Sequence, residues 1–447
     1  MNTSRRLRQA RSASHRASVL FLNKFLASAI QIPIVIFLSR TFGPSVVGEY
    51  AFAQAIVIPM MFLASMRHGA LILTDARRER QYQDYFVNTG LLSIVFATLV
   101  GLALALSGNS FILPIFAALA VFRGLFLFSE FAVAFAQKEQ DFRFILQTSI
   151  IRFIILLATF CGAAFSTQSL FWGLAAMAAA QVFLVLALEL PWILAHRQRL
   201  SVPAGTGATA SRAPSRTASH TPHPSPWPGR MDLLVHAFPL GIAVMFASLT
   251  PNSVRFIIAE MLDVEQLGYF AAVTQFLVIL RLAVGGASNS ILPRQTRKFD
   301  ARDGRGFIAP FAVMFVALIV IGGLGAIAAL AVGDPVLELI YGPAFVGQAG
   351  LLAATAILAA FTFIAQLSEA AALTARITRY NMYVNAVGLV FTVVCTIQLI
   401  PHFGLYGVQM ALGGAAIFQT VAYWLIVAMR WRTPQPTGPV PGASSEG

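Results

Sequence analysis

The chain has 447 residues, 57% of them hydrophobic and only 11% charged, with a formal net charge of +13. A soluble domain carries roughly a quarter charged residues, so a water-soluble core is excluded and the main solvent must be lipid. The two cysteines, Cys161 and Cys395, sit inside apolar runs and offer neither a disulfide framework nor metal-ligand spacing, and the seven histidines form no HExxH pattern.

A membrane helix needs roughly 20 mostly apolar residues. Twelve runs meet that length: 19–39, 46–66, 86–106, 111–135, 145–166, 169–195, 233–258, 266–291, 307–332, 349–372, 381–400 and 404–429. The basic N-terminus MNTSRRLRQARSASHR carries Ser4-Arg5-Arg6, a faint twin-arginine pattern, and Ala27-Ser28-Ala29 faintly resembles a cleavage site. The apolar run continues past Ala29 to Leu38, too long for a signal core, so the first run reads as an uncleaved membrane helix. The outer link between the third and fourth runs is short. Its counterpart GDPVLELIYGPAFVGQAG, residues 333–350, reads either as a short interfacial segment starting at Asp334-Pro335 and broken at Tyr341-Gly342-Pro343, or as a longer loop.

The cations alternate from loop to loop. With the N-terminus placed in the cytoplasm, 25 of the 31 Lys and Arg fall in inside segments and one, Arg40, falls outside. That bias sets orientation in membrane proteins, predicts both termini inside, and accounts for the positive charge without a nucleic-acid partner. Residues 200–230, rich in Pro, Ser, Thr and Arg, can form neither helix nor sheet and divide six runs from six. The expected layout is a cytoplasmic N-terminus (1–18), an N-lobe (19–199), a disordered cytoplasmic linker (200–230), a C-lobe (231–430) and a cytoplasmic tail (431–447).

The two halves echo each other. LSRTFGPSVVGEYAFAQA, from Leu38, aligns with IAEMLDVEQLGYFAAVTQ, from Ile258, at an offset of 220, which brings Gly48 onto Gly268 and Tyr50 onto Phe270. Arg77-Arg78 fall on Arg297-Lys298, and Ser129-Glu130 recurs as Ser368-Glu369. One such echo is what chance gives between apolar helices; several in the same order indicate a repeat. Six helices per half is an even number, so the repeat is parallel, about an axis along the membrane normal. The fold class is therefore all-α: a polytopic membrane protein of about twelve helices in two six-helix lobes related by a pseudo-two-fold.

No GxxxxGK[ST] cradle, no GxSxG elbow and no large outer domain is present. The informative residues are ionisable groups at bilayer depth, which are costly unless they face a cavity or a partner. Lys24, Arg123, Arg152, Arg255 and Arg281 are the cations, and Glu130 and Glu369 the deep acids; Glu49 and Glu189 lie near run ends, within reach of water. Arg123 and Glu130, seven apart, share one helix face. Singly these residues read equally well as snorkelling or packing groups. As a set, with cations in excess, they predict a water-filled cationic cavity suited to an anionic substrate, since Arg forks bind phosphate oxygens in pairs. Pro33 and Pro251 occupy nearly matching places in the two halves and are hinge candidates, each removing a backbone hydrogen bond.

FGPSVVGEYAFAQA after the first run, LIYGPAFVGQAGLLAATAIL before and into the tenth, and HFGLYGVQMALGGA at the start of the twelfth resemble the polysaccharide-transporter branch of the multidrug/oligosaccharidyl-lipid/polysaccharide superfamily, which includes Wzx-type flippases. The resemblance covers nearly the whole chain apart from residues 200–230, a linker longer and more Pro-rich than the family pattern. It implies two lobes opening alternately to each face of the bacterial inner membrane. The implied substrate is an undecaprenyl-diphosphate-linked oligosaccharide moved from the inner to the outer leaflet, with other polysaccharide-assembly proteins as partners. No cofactor or metal is expected; a proton or sodium gradient would couple through Glu130 or Glu369. A drug/cation antiporter would need acidic groups deep in the cavity to hold a cationic drug, and here cations outnumber the deep acids. A polymerase or ligase acting on lipid-linked glycans would need catalytic residues in a sizeable outer loop.

Overall fold

A computed structural model describes residues 18–66, 113–196, 229–374 and 379–432, with isolated positions before and between. Most of the expected third helix at 86–106, the pair Arg77 and Arg78, almost all of the linker 200–230 and both termini lie outside the described residues. Among the described residues there is no strand. The helices are α1 (Ser18–Phe42), α2 (Pro44–Ser65), α3 (Leu113–Lys138), α4 (Phe142–Thr167) and α5 (Leu170–Ala195) in the first half. The second half holds α6 (Gly229–Met261), α7 (Val264–Asp300), α8 (Gly304–Tyr341), α9 (Ala349–Thr374), α10 (Arg379–Phe403) and α11 (Leu405–Arg432). Nine of them are long and apolar enough to cross a membrane.

Short links with specific turn chemistry reverse the chain. Gly43 (φ 86°) ends α1 in a conformation that favours glycine, and Pro44 opens α2 with its ring at a position where no N–H is needed. Asp141, Asp263 and Asp303 cap α4, α7 and α8, each accepting the N–H three residues on at 3.0, 2.6 and 2.9 Å. Near Pro33, the helical pattern of α1 is interrupted at Ile30 alone, where the backbone keeps helical angles (φ −58°, ψ −27°). Pro251 leaves α6 continuous but deprives the Ala247 carbonyl of its partner one turn back.

The segment from Asp334 departs from both expected readings. α8 runs unbroken through Pro335 to Tyr341, and only Pro343–Phe345 form a separate turn. A membrane helix tolerates an internal proline when neighbouring groups satisfy the backbone. Asp334 caps a different helix from the one it was expected to open. Its Oδ1 accepts the Gly347 and Ala349 amides at 2.8 and 3.1 Å and so holds the start of α9. The break at Gly342 (φ 98°) falls where the Gly-Pro pair placed it.

Each half repeats the other's packing. α5 lies against α3 and α4, and α11 lies against α9 and α10. The duplicated Ser-Glu pair explains part of this. Ser129 and Ser368 are both fully buried; Ser129 accepts from Gln181 of α5 at 2.7 Å, and Ser368 accepts from Trp424 of α11 at 3.1 Å. The adjacent acids turn the other way, Glu130 exposed and Glu369 half-buried. The halves meet where α2 packs against α6 and α7, around a shared core that includes Val47, Ala51, Val254, Ile258, Leu267 and Ala271. α8 packs along α9 through small residues: a Cβ on Gly322 would come 2.7 Å from that of Ala360. Its other face, with Val313 69% and Leu330 67% exposed, is an apolar surface suited to lipid.

Candidate functional site

In the N-terminal half, four polar groups converge. Arg152 of α4 forms a direct ion pair with Glu189 of α5. Glu189 also accepts from Ser129 at 2.8 Å, and Ser129 in turn accepts from Gln181. Ser149 donates to Asn23 of α1 at 2.7 Å beside this group. Glu189 is only 2% exposed, so it does not reach water as its place near the end of an apolar run suggested. The reason is local: Pro191 has no N–H, and the helix widens into a π-turn over Val185–Glu189, with the Leu190 amide reaching back to the Val185 carbonyl. The widened turn points the carboxylate at Arg152. A carboxylate on Arg152 takes that cation out of the set free to meet an anion.

Arg123 has another setting. It is 9% exposed, its Nε has no hydrogen-bond partner, and it shares a cavity of about 30 Å³ with Arg152 between α1, α3 and α4. That is room for about one water. Tyr50 of α2 stands within electrostatic reach of both Arg123 and Arg255, and Arg255 within reach of Arg281. Glu130 lies within reach of Arg123 and Arg152. Tyr50 thus lies near one arginine of each half, Arg123 and Arg255. Lys24 is exposed on α1 and lines neither cavity.

The C-terminal half encloses a larger polar cavity of about 280 Å³ between α6, α7, α9, α10 and α11. Arg281, Glu369 and Pro251 all line it, with Asn385, Gln419 and Tyr423. Asn381 donates to Glu369 at 2.7 Å, Asn385 donates to Asn381 at 2.8 Å, and the Tyr423 hydroxyl donates to the same Asn381 oxygen. Thr250 contributes a buried hydroxyl without a partner. The arrangement can take an anion at Arg281 and can bind or release a cation at Glu369, where neutral amides surround the carboxylate. Asn381, Asn385, Gln419 and Tyr50 do not follow from a search for charges. Their signal is weaker: two asparagines four apart in an apolar run mark one polar helix face.

No family model matches the chain, and no curated protein matches it. The fold is nevertheless a known one, that of polytopic membrane transporters. The chain is similar to the lipid II flippase MurJ in an inward closed conformation, with a TM-score of 0.63, 12% identity and coverage of 93% of this chain and 88% of that one. It is also similar to an inward-facing multidrug resistance MATE transporter of the MOP superfamily, with a TM-score of 0.59, 12% identity and coverage of 94% and 96%. A eukaryotic MATE transporter gives a TM-score of 0.56 at 15% identity, covering 93% and 98%. At such identities the likeness concerns the fold.

Proposed function

We propose that this protein is a flippase that carries an undecaprenyl-diphosphate-linked oligosaccharide from the inner to the outer leaflet of a bacterial inner membrane by alternating access. The observation that carries the reading is the placing of buried arginines at the two cavities, Arg123 on the N-terminal one and Arg281 on the C-terminal one. Buried cations are costly unless an anion joins them; Glu189 is engaged with Arg152 and Glu369 with Asn381, while Glu130 lies within reach of Arg123 and Arg152 and balances only part of the positive charge. A diphosphate supplies two neighbouring anionic groups for guanidinium forks. The alternating Lys and Arg of the loops support an orientation with the linker and both termini in the cytoplasm. Glu369, held by Asn381 and facing the same cavity as Arg281, is the coupling-ion site of this reading. No chemical step on the substrate is part of it, and other polysaccharide-assembly proteins are its partners.

A drug/cation antiporter is the second reading, favoured by the same Glu369 carboxylate and by the MATE-like fold. Deleting the gene and analysing lipids by mass spectrometry separates the two. Accumulated undecaprenyl-diphosphate-linked oligosaccharide, cleared by the wild-type gene and not by Arg281→Gln, supports the flippase. Unchanged lipid intermediates with raised drug susceptibility would favour the antiporter.

A further inference from the structure

The small cavity of the N-terminal half, about 30 Å³ between α1, α3 and α4, is lined by hydrogen-bond donors. Arg123 and Arg152 on its wall are both 9% exposed, and the Nε–H of each has no partner. Arg152 gives its Nη2 to Glu189, which is off the cavity wall. Asn23 of α1 turns its oxygen to Ser149, so its NH2 is the group it can offer the space. The remaining walls are apolar. The Arg123 guanidinium carbon lies 5.6 Å from the centre of the Phe122 ring, and that of Arg152 lies 5.9 Å from the centre of the Phe126 ring. A buried donor left without an acceptor is costly, more so on a charged group, and two of them on one cavity call for an occupant.

We propose that this cavity binds a single-atom inorganic anion, chloride or another halide, inside the N-terminal half. Size sets the class. The space admits about one water; a chloride ion is little larger, whereas a phosphate with its four oxygens does not fit. Charge sets the sign. A water molecule would bring two protons of its own to a wall of donors, while an anion accepts from all of them and asks for none in return. Glu130 lies within electrostatic reach of both arginines, but it is exposed and does not line the cavity. The ion would tie α1, through Asn23, to Arg123 of α3 and Arg152 of α4. In this conformation the small cavity is thus served by an ion, and a diphosphate head belongs to the larger cavity at Arg281. The inference does not rest on the flippase reading, because an antiporter with the same buried arginines would hold the same ion.

The test is equilibrium binding of radioactive chloride to the full-length protein in detergent, in gluconate buffer at constant ionic strength. Saturable binding is expected, displaced by bromide and not by inorganic phosphate. Arg123→Gln removes the charge and a donor, and Ala27→Leu fills the space while leaving both arginines in place. Each should weaken chloride binding about tenfold or more. Arg281→Gln, at the other cavity, should leave it unchanged. In bromide-soaked crystals of the wild type, the anomalous signal should lie between Asn23, Arg123 and Arg152, a readout that stands even where the variants fail to fold. Absence of saturable binding, equal displacement by phosphate, binding kept by both Arg123→Gln and Ala27→Leu, loss of binding in Arg281→Gln, or bromide at Arg281 in place of this cavity would each overturn the inference.

Discussion

Gly48 and Gly268, 220 positions apart, make the same contact from opposite halves of the molecule. A Cβ on Gly48 would lie 1.8 Å from the Val264 carbonyl oxygen, and one on Gly268 would lie 1.9 Å from that of Pro44. Val264 is itself 220 positions beyond Pro44. Two backbones thus meet about a local two-fold at the starts of α2 and α7, and only hydrogen fits between them. Gly48→Ala or Gly268→Ala should push these helix ends apart, at a cost of about 1–3 kcal/mol for an overpacked contact. Spin-label distances between α2 and α7 should lengthen, and transport should fall while the protein stays in the membrane. Unchanged distances in both variants would show that this contact does not hold the halves together.

The Arg152–Glu189 pair should behave as a buried ion pair does. Glu189→Gln leaves a guanidinium without its partner in an apolar surrounding and should cost about 3–5 kcal/mol, read as a lower unfolding temperature in detergent. Replacing both, Arg152→Met with Glu189→Leu, should recover most of the loss. A double variant as unstable as Glu189→Gln would indicate that Arg152 has a further anionic partner.

Arg40 ties the end of α1 to the end of α8. Its Nε donates to the Ile340 carbonyl at 3.0 Å and its Nη2 to the Leu339 carbonyl, placing a cation at the negative end of the α8 dipole. Arg40→Ala should therefore cost about 1 kcal/mol, reduced by exposure to solvent, and Arg40→Lys should lose less because the charge remains. Thermal unfolding of the three proteins side by side measures both effects; identical unfolding would mean that the contact adds nothing to stability.

Runs of apolar residues reveal where a chain crosses a membrane, and here each described helix falls on an expected run, although α7 and α8 extend well beyond theirs, to Asp300 and Tyr341. The offset of 220 aligned Gly48 with Gly268, and the structure gives both the same backbone contact, which the alignment alone did not foretell. Partners distant along the chain were harder to read. Nothing near Arg152 points to Glu189, 37 positions on and swung inward by the wide turn before Pro191. Asp334-Pro335 looked like a helix start because both residues favour one, but in an apolar environment the backbone of α8 continues through them. The cavity beside Glu369 draws on five helices, and its asparagines carry no charge to betray them.

The charge of the cavity arginines gives the most demanding test. Arg281 lines the C-terminal cavity with Arg255 within electrostatic reach, and Arg123 lines the N-terminal cavity. If they hold a diphosphate, Arg255→Gln and Arg281→Gln should each lower transport by tenfold or more, about 1.4 kcal/mol per decade, with normal amounts of protein in the membrane. Lysine should restore part of the loss, since it keeps the charge and gives up the paired fork. Arg123 needs a separate control because Glu130 lies within its reach. Should Arg123 serve only to balance Glu130, then Arg123→Gln combined with Glu130→Gln would recover what either single change lost. That recovery, together with unimpaired transport by Arg255→Gln and Arg281→Gln, would remove the anion from the cavity and leave helix packing as the role of these arginines.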